Sequence, residues 1–488
     1  MLKILIEKEL KSIITSPKFV ATFSVCSILI LLSIFVGIKE YQAAVRQYEA
    51  ANQLAAQQLR ESASFMGLST KTYRKPQPMQ IFVSGVQHDI GRLSAINAFN
   101  ALKLTNSAYS DDPIFAVFRF IDFAFIVQIV LSLFAILFTY DAINGERESG
   151  TLKLVFANAI PRARYILAKF IGSWLGVVVP LFIPILLGLL MVNLFNVPFS
   201  GEDWSKVLIL IGASLLFFTF FIAFGLLIST LTKQSSISFL LLLVAWVSLV
   251  LIIPRAGVMA AGGLVRVPSA AEIESQQDGY SKSRWQKHGK EMGERWHERN
   301  MEMDGMNKDE RQAYRDERMW EWMEEEDEAR KKMQVEINDF ALKLQEDFRN
   351  RKAEQERLAF TISRFSPASA YQLTAMNLAG TNIDLKTRTE DAMQQYRKDF
   401  LAYREKKQKE SGGGGGIRIE WNSDSGMTID TGRDKGTLDI SDMPRFEAPA
   451  HKLSDAIAPT LIDFGLLAIY TLTAFAGAFV VFLRYDVR

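Results

Sequence analysis

Apolar positions along this chain fall into six long runs, at 17–38, 114–139, 165–195, 207–231, 237–254 and 459–483. A run of about 20 apolar residues rises about 1.5 Å per residue as a helix and so crosses a hydrocarbon core of about 30 Å. In lipid the backbone must satisfy its own hydrogen bonds, so an isolated apolar run of this kind is helical. The pattern predicts an all-α polytopic membrane protein with six transmembrane helices.

Ahead of the first run, Leu2, Ile4, Leu5, Ile6, Leu10, Ile13 and Ile14 alternate with Lys3, Glu7, Lys8, Glu9 and Lys11. That is the pattern of an amphipathic helix lying in the membrane interface. Ser16-Pro17 predicts a break after it, making 1–16 a separate element rather than the start of the first span. In the third span Pro180 and Pro184 lie close to Gly176 and Gly188. They predict a kink, with neighbouring helices covering the freed carbonyls.

Lys and Arg near the span ends set the orientation. One set of ends carries Lys3, Lys8, Lys11, Lys18, Arg147, Lys153, Arg162, Arg164, Lys169, Lys233, Arg484 and Arg488. The short loop on the other side carries Glu202 and Asp203. Both termini are therefore expected in the cytoplasm of a bacterium, the spans in its inner membrane, and the insertions 39–113 and 255–458 in the periplasm.

The first insertion reads as helical through Tyr41–Phe65, stops at Lys75-Pro76-Gln77-Pro78, passes an extended Ile81-Phe82-Val83 and turns helical again over Ile90–Ala108. In the second, Trp285, Met292, Trp296 and Met303 follow heptad spacing. Asp304-Gly305-Met306-Asn307 breaks it, and Asn307 with Glu310 reads as a capping pair. A second helix has its seam at Met333, Ile337, Phe340 and Leu344, with Leu358 and Ile362 beyond. Dense mixed charge surrounds both seams, as on a solvated helix laced with ion pairs. The region 281–363 is thus expected to be an antiparallel helical hairpin, a coiled coil. After it, glycines 412–416 form a flexible joint, and alternation over 417–441 predicts a small β-meander.

Composition narrows the chemistry. The formal net charge of +2 over 488 residues gives nucleic acid no footprint. The single cysteine, Cys26, lies in an apolar run and excludes a disulfide framework. His288 and His297 stand among Met292, Met301, Met303 and Met306, a set of soft ligands for Cu(I). Most of those methionines also occupy positions a hairpin core would want, so no metal site is predicted. The acidic run Glu324–Glu328 reads as a solvated face, and no hydrolytic triad or zinc spacing stands out. Asp122 and Asp463 lie near span ends, where interfacial exposure is their expected state.

The most distinctive polar segment lies between the second and third spans. It runs Tyr140-Asp141-Ala142-Ile143-Asn144-Gly145-Glu146-Arg147-Glu148-Ser149-Gly150-Thr151-Leu152 and continues to Pro161-Arg162-Ala163-Arg164 and Lys169. A patterned helix on the cytoplasmic face is a docking surface for a soluble partner.

With Ala159-Ile160-Pro161-Arg162 and the ending Phe482-Leu483-Arg484-Tyr485-Asp486, this segment resembles the ABC-2 type transporter permeases, the type V ABC exporters. Phe365-Ser366-Pro367-Ala368-Ser369, Leu378-Ala379-Gly380-Thr381 and Met443-Pro444-Arg445-Phe446 are similar to the subgroup with a large domain between spans five and six, which includes gliding-motility-associated permeases. The hairpin looks like an elaboration whose role does not carry over.

The resemblance implies a coupling helix within 140–164 that seats on a separate ATP-binding-cassette subunit. Its residues would be Glu146, Arg147, Glu148, Gly150, Thr151, Leu152, Leu154, Pro161, Arg162 and Lys169. Glu146 and Glu148 would face basic groups of the partner, while Leu152, Leu154 and Val155 would bury apolar surface. Two permease copies, two ATPase copies and the lipid bilayer are the implied partners. The chain has no G-x-x-x-x-G-K-[ST] motif, so ATP and Mg would be bound by the partner and no cofactor by this chain. Two functions stay open. One is export of a substrate through the dimer interface, lined by spans one, two and five. The other is relay of ATP-driven motion through the hairpin to an extracytoplasmic envelope partner.

Overall fold

The structure is a computed structural model that describes residues 2–60, 68–97, 102, 104–107, 121–158, 160–410, 418–422, 426–430 and 440–485. It is predominantly helical and divides into two compact units, Met1–Ile252 with Arg364–Arg488, and Ile253–Ser363. Among the described residues six helices are long and apolar enough to cross a membrane: Pro17–Arg60, Phe123–Glu148, Arg162–Leu194, Gly201–Leu231, Ser235–Leu264 and Leu453–Leu483. They are the six spans that the apolar runs predict.

In the first unit the amphipathic helix Leu2–Ile14 ends before Ser16, and Pro17 opens the first span. Proline suits that place because its missing N–H falls where no helical partner exists. Leu2–Ile14 packs on the third span, where Gly172 and Gly176 remove the side chains that would otherwise hold it off. A Cβ at Gly172 would come within 2.6 Å of Glu9 Cβ. The third span runs unbroken through Pro180 and Pro184. The second and fifth spans each contain a π-helical turn, Ile126–Leu131 and Val247–Ile252. Trp246, just before one, donates to Ser132 Oγ, just after the other, at 2.8 Å. That bond gives a buried indole N–H its partner between two helices whose hydrogen-bond ladders are locally widened.

Between the first two spans the structure corrects three expectations. Residues 93–96 form strand β2 (Leu93–Ile96), antiparallel to β1 (Thr70–Tyr73), where a helix is expected over Ile90–Ala108. Ser94 and Ile96 are buried while Ala95 is exposed, a period-2 pattern that a helix does not produce. Pro78–Ile81 is a 3-10 turn, where Ile81–Val83 reads as extended. Asp122 is not an exposed interfacial carboxylate. It accepts from Ser84 N and Phe125 N, both at 2.7 Å, and so caps the second span.

Asp463 is likewise fully enclosed and paired with Arg364. Next to that pair, Pro367–Ala379 is a short helix with most of its side chains buried. Ser366 caps it, and Tyr371 stacks on Phe217 of the fourth span with ring centroids 4.8 Å apart. β3 (Arg418–Asn422) and β4 (Gly426–Asp430) form a two-stranded antiparallel ribbon. The glycine joint 412–416 and the third strand expected around 437–440 lie almost entirely outside the described residues.

The second unit contains the helices Ala270–Glu302 and Lys308–Ser363. Tyr280 stacks on Phe340, Arg284 pairs with Glu336, and Arg295 grips Glu326 at 3.0 and 2.7 Å. Partner numbers fall as residue numbers rise, so the arms are antiparallel. Asn307 and Glu310 bond each other's backbone N–H as a capping pair. The seam differs from the heptad expected on the first arm. Trp285 and Met292 are 48% and 39% exposed, while Arg284, His288, Arg295 and Arg299 face inward. The arms meet through cations on one and carboxylates on the other, with Trp296 and Trp322 packed edge to face beside Arg299.

Candidate functional site

The polar segment between spans two and three folds as two short helices, Asn144–Glu148 and Thr151–Ala157, hinged at Gly150. Gly150 has φ +74°, a left-handed conformation that glycine adopts without Cβ strain, and the space where a Cβ would point is open.

This segment continues from the second span, and its inner side is tied to the other five. Lys18 of the first span reaches Asp141 at 3.3 Å. Tyr165 and Lys169 of the third span meet Glu146 at 2.6 and 3.0 Å. Ser229, near the end of the fourth span, accepts from Ile143 N at 3.0 Å and Asn144 N at 3.3 Å. Glu148 accepts from Ser235 N and Ser235 Oγ, both at 2.8 Å, and so caps the fifth span. Arg147 donates to Tyr485 Oη at 3.1 Å, and Arg162 donates to Leu483 O at 2.7 Å, both where the last span ends.

At the centre of this hub Lys169 is buried between two carboxylates, Glu9 Oε2 at 2.7 Å and Glu146 Oε1 at 3.0 Å. Lys8 adds a second cation on Glu146 at 3.0 Å. Two cations and two anions cancel, which is how a charged group is held away from water without a large penalty. The amphipathic helix Leu2–Ile14 is therefore joined to the segment through Lys8 and, by way of Lys169, through Glu9.

The family of this chain can be read from its full length. The sequence profile described as ABC-2 family transporter protein matches residues 3–487. The chain belongs to this family. No curated protein matches it. The hub is thus part of an ABC-2 transporter membrane protein, a family whose membrane subunits work with an ABC ATPase.

Within this ABC-2 protein the expected coupling residues beside the Gly150 hinge separate into three groups. Glu146, Leu152 and Lys169 point inward, and Leu152 is 1% exposed. Glu146, expected to face a partner's basic groups, is bonded within the chain by Lys8, Tyr165 and Lys169. Leu152 likewise offers no apolar surface to a partner. Arg147, Glu148 and Arg162 stand at the rim, each bonded to another span. Thr151 Oγ1 donates to Glu146 O at 3.2 Å and sits beside Ser149 Oγ at 2.9 Å, which holds the hinge at Gly150. Leu154 is 68% exposed, and Pro161, Thr151, Lys153 and Ala157 are exposed around it.

Sequence reading missed Glu9, Asn144, Ser229, Ser235 and Tyr485 as members of the hub. Asn144 is fully buried, with its side chain bonded to Ser229, Thr232, Gln234 and Ser235. An asparagine at the foot of an apolar run is a usable signal. The serines carry none, because they are common at span ends. Among the described residues no group of three His, Cys, Asp or Glu is placed to hold a metal.

Proposed function

We propose that this chain is the permease subunit of an ATP-driven exporter, and that its ATPase seats on the outer ridge formed by Ser149, Thr151, Lys153, Leu154 and Ala157. One observation carries the reading. The ridge is open on its outer side, while the inner side continues from the second span and is bonded to the other five and to the N-terminal helix. A push on the ridge is therefore delivered to the whole membrane bundle as rigid-body motion of packed helices. The clustering of Lys and Arg at these span ends supports a cytoplasmic location for the ridge and both termini, with the insertions on the opposite side. Spans one, five and six keep large apolar surfaces uncovered, including Val20, Ile28, Leu32, Leu240, Val244, Leu461 and Leu472. A second permease copy and lipid would share those surfaces.

The test is co-purification of ATP hydrolysis with the tagged chain. Leu154→Asp with Lys153→Glu should remove the activity from the eluate while the permease stays monodisperse. Undiminished ATPase recovery from that variant would overturn the ridge assignment.

A second reading has its own support in the helix Lys308–Ser363. Its 56 residues extend about 84 Å at 1.5 Å per residue. A strut of that length suits relay of motion to an envelope partner without movement of a substrate. Replacing 285–335 by a short glycine turn keeps the base of the hairpin. Full activity in that variant would favour export and eliminate the strut.

A further inference from the structure

A cavity of about 860 Å³ is lined by the far end of the helix Pro17–Arg60, by β1, by Tyr396 and by residues of 440–446. Sites that enclose a specific ligand run to about 300–1,000 Å³. Among the described residues its charged lining consists of Arg60, Lys71 and Arg445, with no Asp or Glu. All three cations are exposed, and none has a hydrogen bond or ion pair among the described residues. Tyr396 and Phe446, with ring centroids 5.7 Å apart, supply an aromatic wall.

β1 adds a second feature. Thr70, Lys71 and Thr72 all line the cavity, although neighbouring side chains on a strand point to opposite faces. What three consecutive residues share is a backbone edge. Among the described residues β1 is paired with β2 on one side only, which leaves the N–H and C=O groups of its other edge without a strand partner there. Position excludes a lipid headgroup. Tyr48 and Arg60, both lining residues, stand 10 and 22 residues beyond Ile38 on one helix, about 15 and 33 Å past the apolar run. The polar headgroup layer is only about 5–8 Å deep on each side.

We propose that this cavity binds an extended acidic peptide segment of a partner protein. The segment adds as a strand to the free edge of β1. Its carboxylates meet Arg60, Lys71 and Arg445, and an apolar side chain rests on Tyr396 and Phe446. The inference needs this cavity alone and does not depend on where an ATPase docks.

The experiment uses the full-length chain in detergent and a fluorescent octapeptide alternating Glu with Val and Phe, read by anisotropy. A peptide with Lys in place of Glu is the comparison. The acidic peptide should bind and the basic one should not. Arg60→Glu with Arg445→Glu should weaken binding by about tenfold or more, since two attractive charge contacts become repulsive. Lys287→Glu, a charge reversal in the hairpin, should leave binding unchanged, and the thermal midpoint of each variant reports its folding. Equal binding of both peptides, or binding indifferent to the double reversal, would overturn the proposal. So would displacement of the peptide by equimolar inorganic phosphate, which would make the site a small-anion site.

Discussion

Arg364 grips Asp463 with both arms of its guanidinium, Nε to Oδ1 at 2.6 Å and Nη2 to Oδ2 at 3.1 Å. Asp463 is fully enclosed, and hydrogen bonding to it raises the Arg364 pKa further. Tyr470 Oη also donates to Arg364 O at 2.6 Å, so the residue that follows the long hairpin helix is fixed at two points on the last span. Removing one partner of a buried pair strands the other. Arg364→Ala should therefore destabilise the protein by about 3 kcal/mol, and Asp463→Asn by less, because its amide still accepts a hydrogen bond. Arg364→Met with Asp463→Leu should recover most of the loss. Thermal unfolding of the purified full-length chain measures all three. An Arg364→Ala midpoint equal to wild type would remove the pair from the account of stability.

Lys169 leads to a second prediction. Among the described residues its ammonium is the only cation buried between Glu9 and Glu146, and Lys169→Met would leave those carboxylates facing each other with only the half-exposed Lys8 beside Glu146. The expected loss is about 3–5 kcal/mol, against about 1 kcal/mol for Tyr165→Phe, which removes one hydrogen bond from Glu146. Because Lys169 faces inward, neither variant touches the ridge. ATPase co-purification should survive in both, while ATP-driven activity should fall in Lys169→Met. Loss of co-purification with intact folding would place Lys169 at the partner surface instead.

The spans were legible because a run of about 20 apolar residues has one stable state in lipid. The helical capping pair Asn307–Glu310 was legible because it lies within four residues of chain. The inner face of the hairpin was not. Trp285 and Met292 looked like core by hydrophobicity, but the packing choice there rests on Arg295 and Arg299 finding Glu326 about 30 residues away, and no local pattern encodes that pairing. Strand β2 was missed for a similar reason, since four residues with one buried face resemble about one turn of amphipathic helix. The polar segment 140–169 announced itself by charge, yet charge could not say which carboxylate turns inward. Glu146 is decided by Lys8 and Lys169, and Lys8 is 138 positions away in sequence.

His451 makes stability depend on pH. Its Nε2–H donates to Asn377 O at 2.8 Å, and Nδ1 accepts from Arg388, so the imidazole is held neutral. Burial, with Arg388 and Lys206 nearby, lowers its pKa below the ordinary 6.5. The unfolded chain therefore binds a proton at this position that the folded protein refuses. Stability is therefore full above about pH 6.5 and declines as pH falls from there toward the folded pKa. The thermal midpoint should drop between pH 7.5 and 5.5. His451→Gln, which keeps one donor and one acceptor, should reduce that drop. A drop of unchanged size would show that His451 takes no part in it.

Gly225 and Gly212 lie on the same helix, the fourth span, and should respond in opposite ways to the same substitution. A Cβ at Gly225 would fall 1.9 Å from Thr139 Oγ1 and 2.7 Å from Thr139 Cβ. Thr139 cannot yield cheaply, because it is fully buried and its hydroxyl donates to Ala135 O at 2.7 Å. Gly225→Ala must therefore push the second and fourth spans apart or rotate Thr139 off its bond, at about 1–3 kcal/mol. At Gly212 nothing stands within 4 Å of the added carbon. Alanine there loses no contact and gains helix propensity of up to about 1 kcal/mol. Gly225→Ala with Thr139→Ser, which deletes only a methyl group, should recover part of the loss, and Gly225→Ala with Thr139→Ala should recover more. Thermal midpoints for the four variants decide the matter. A Gly225→Ala protein as stable as Gly212→Ala would mean that the second and fourth spans do not pack through this contact.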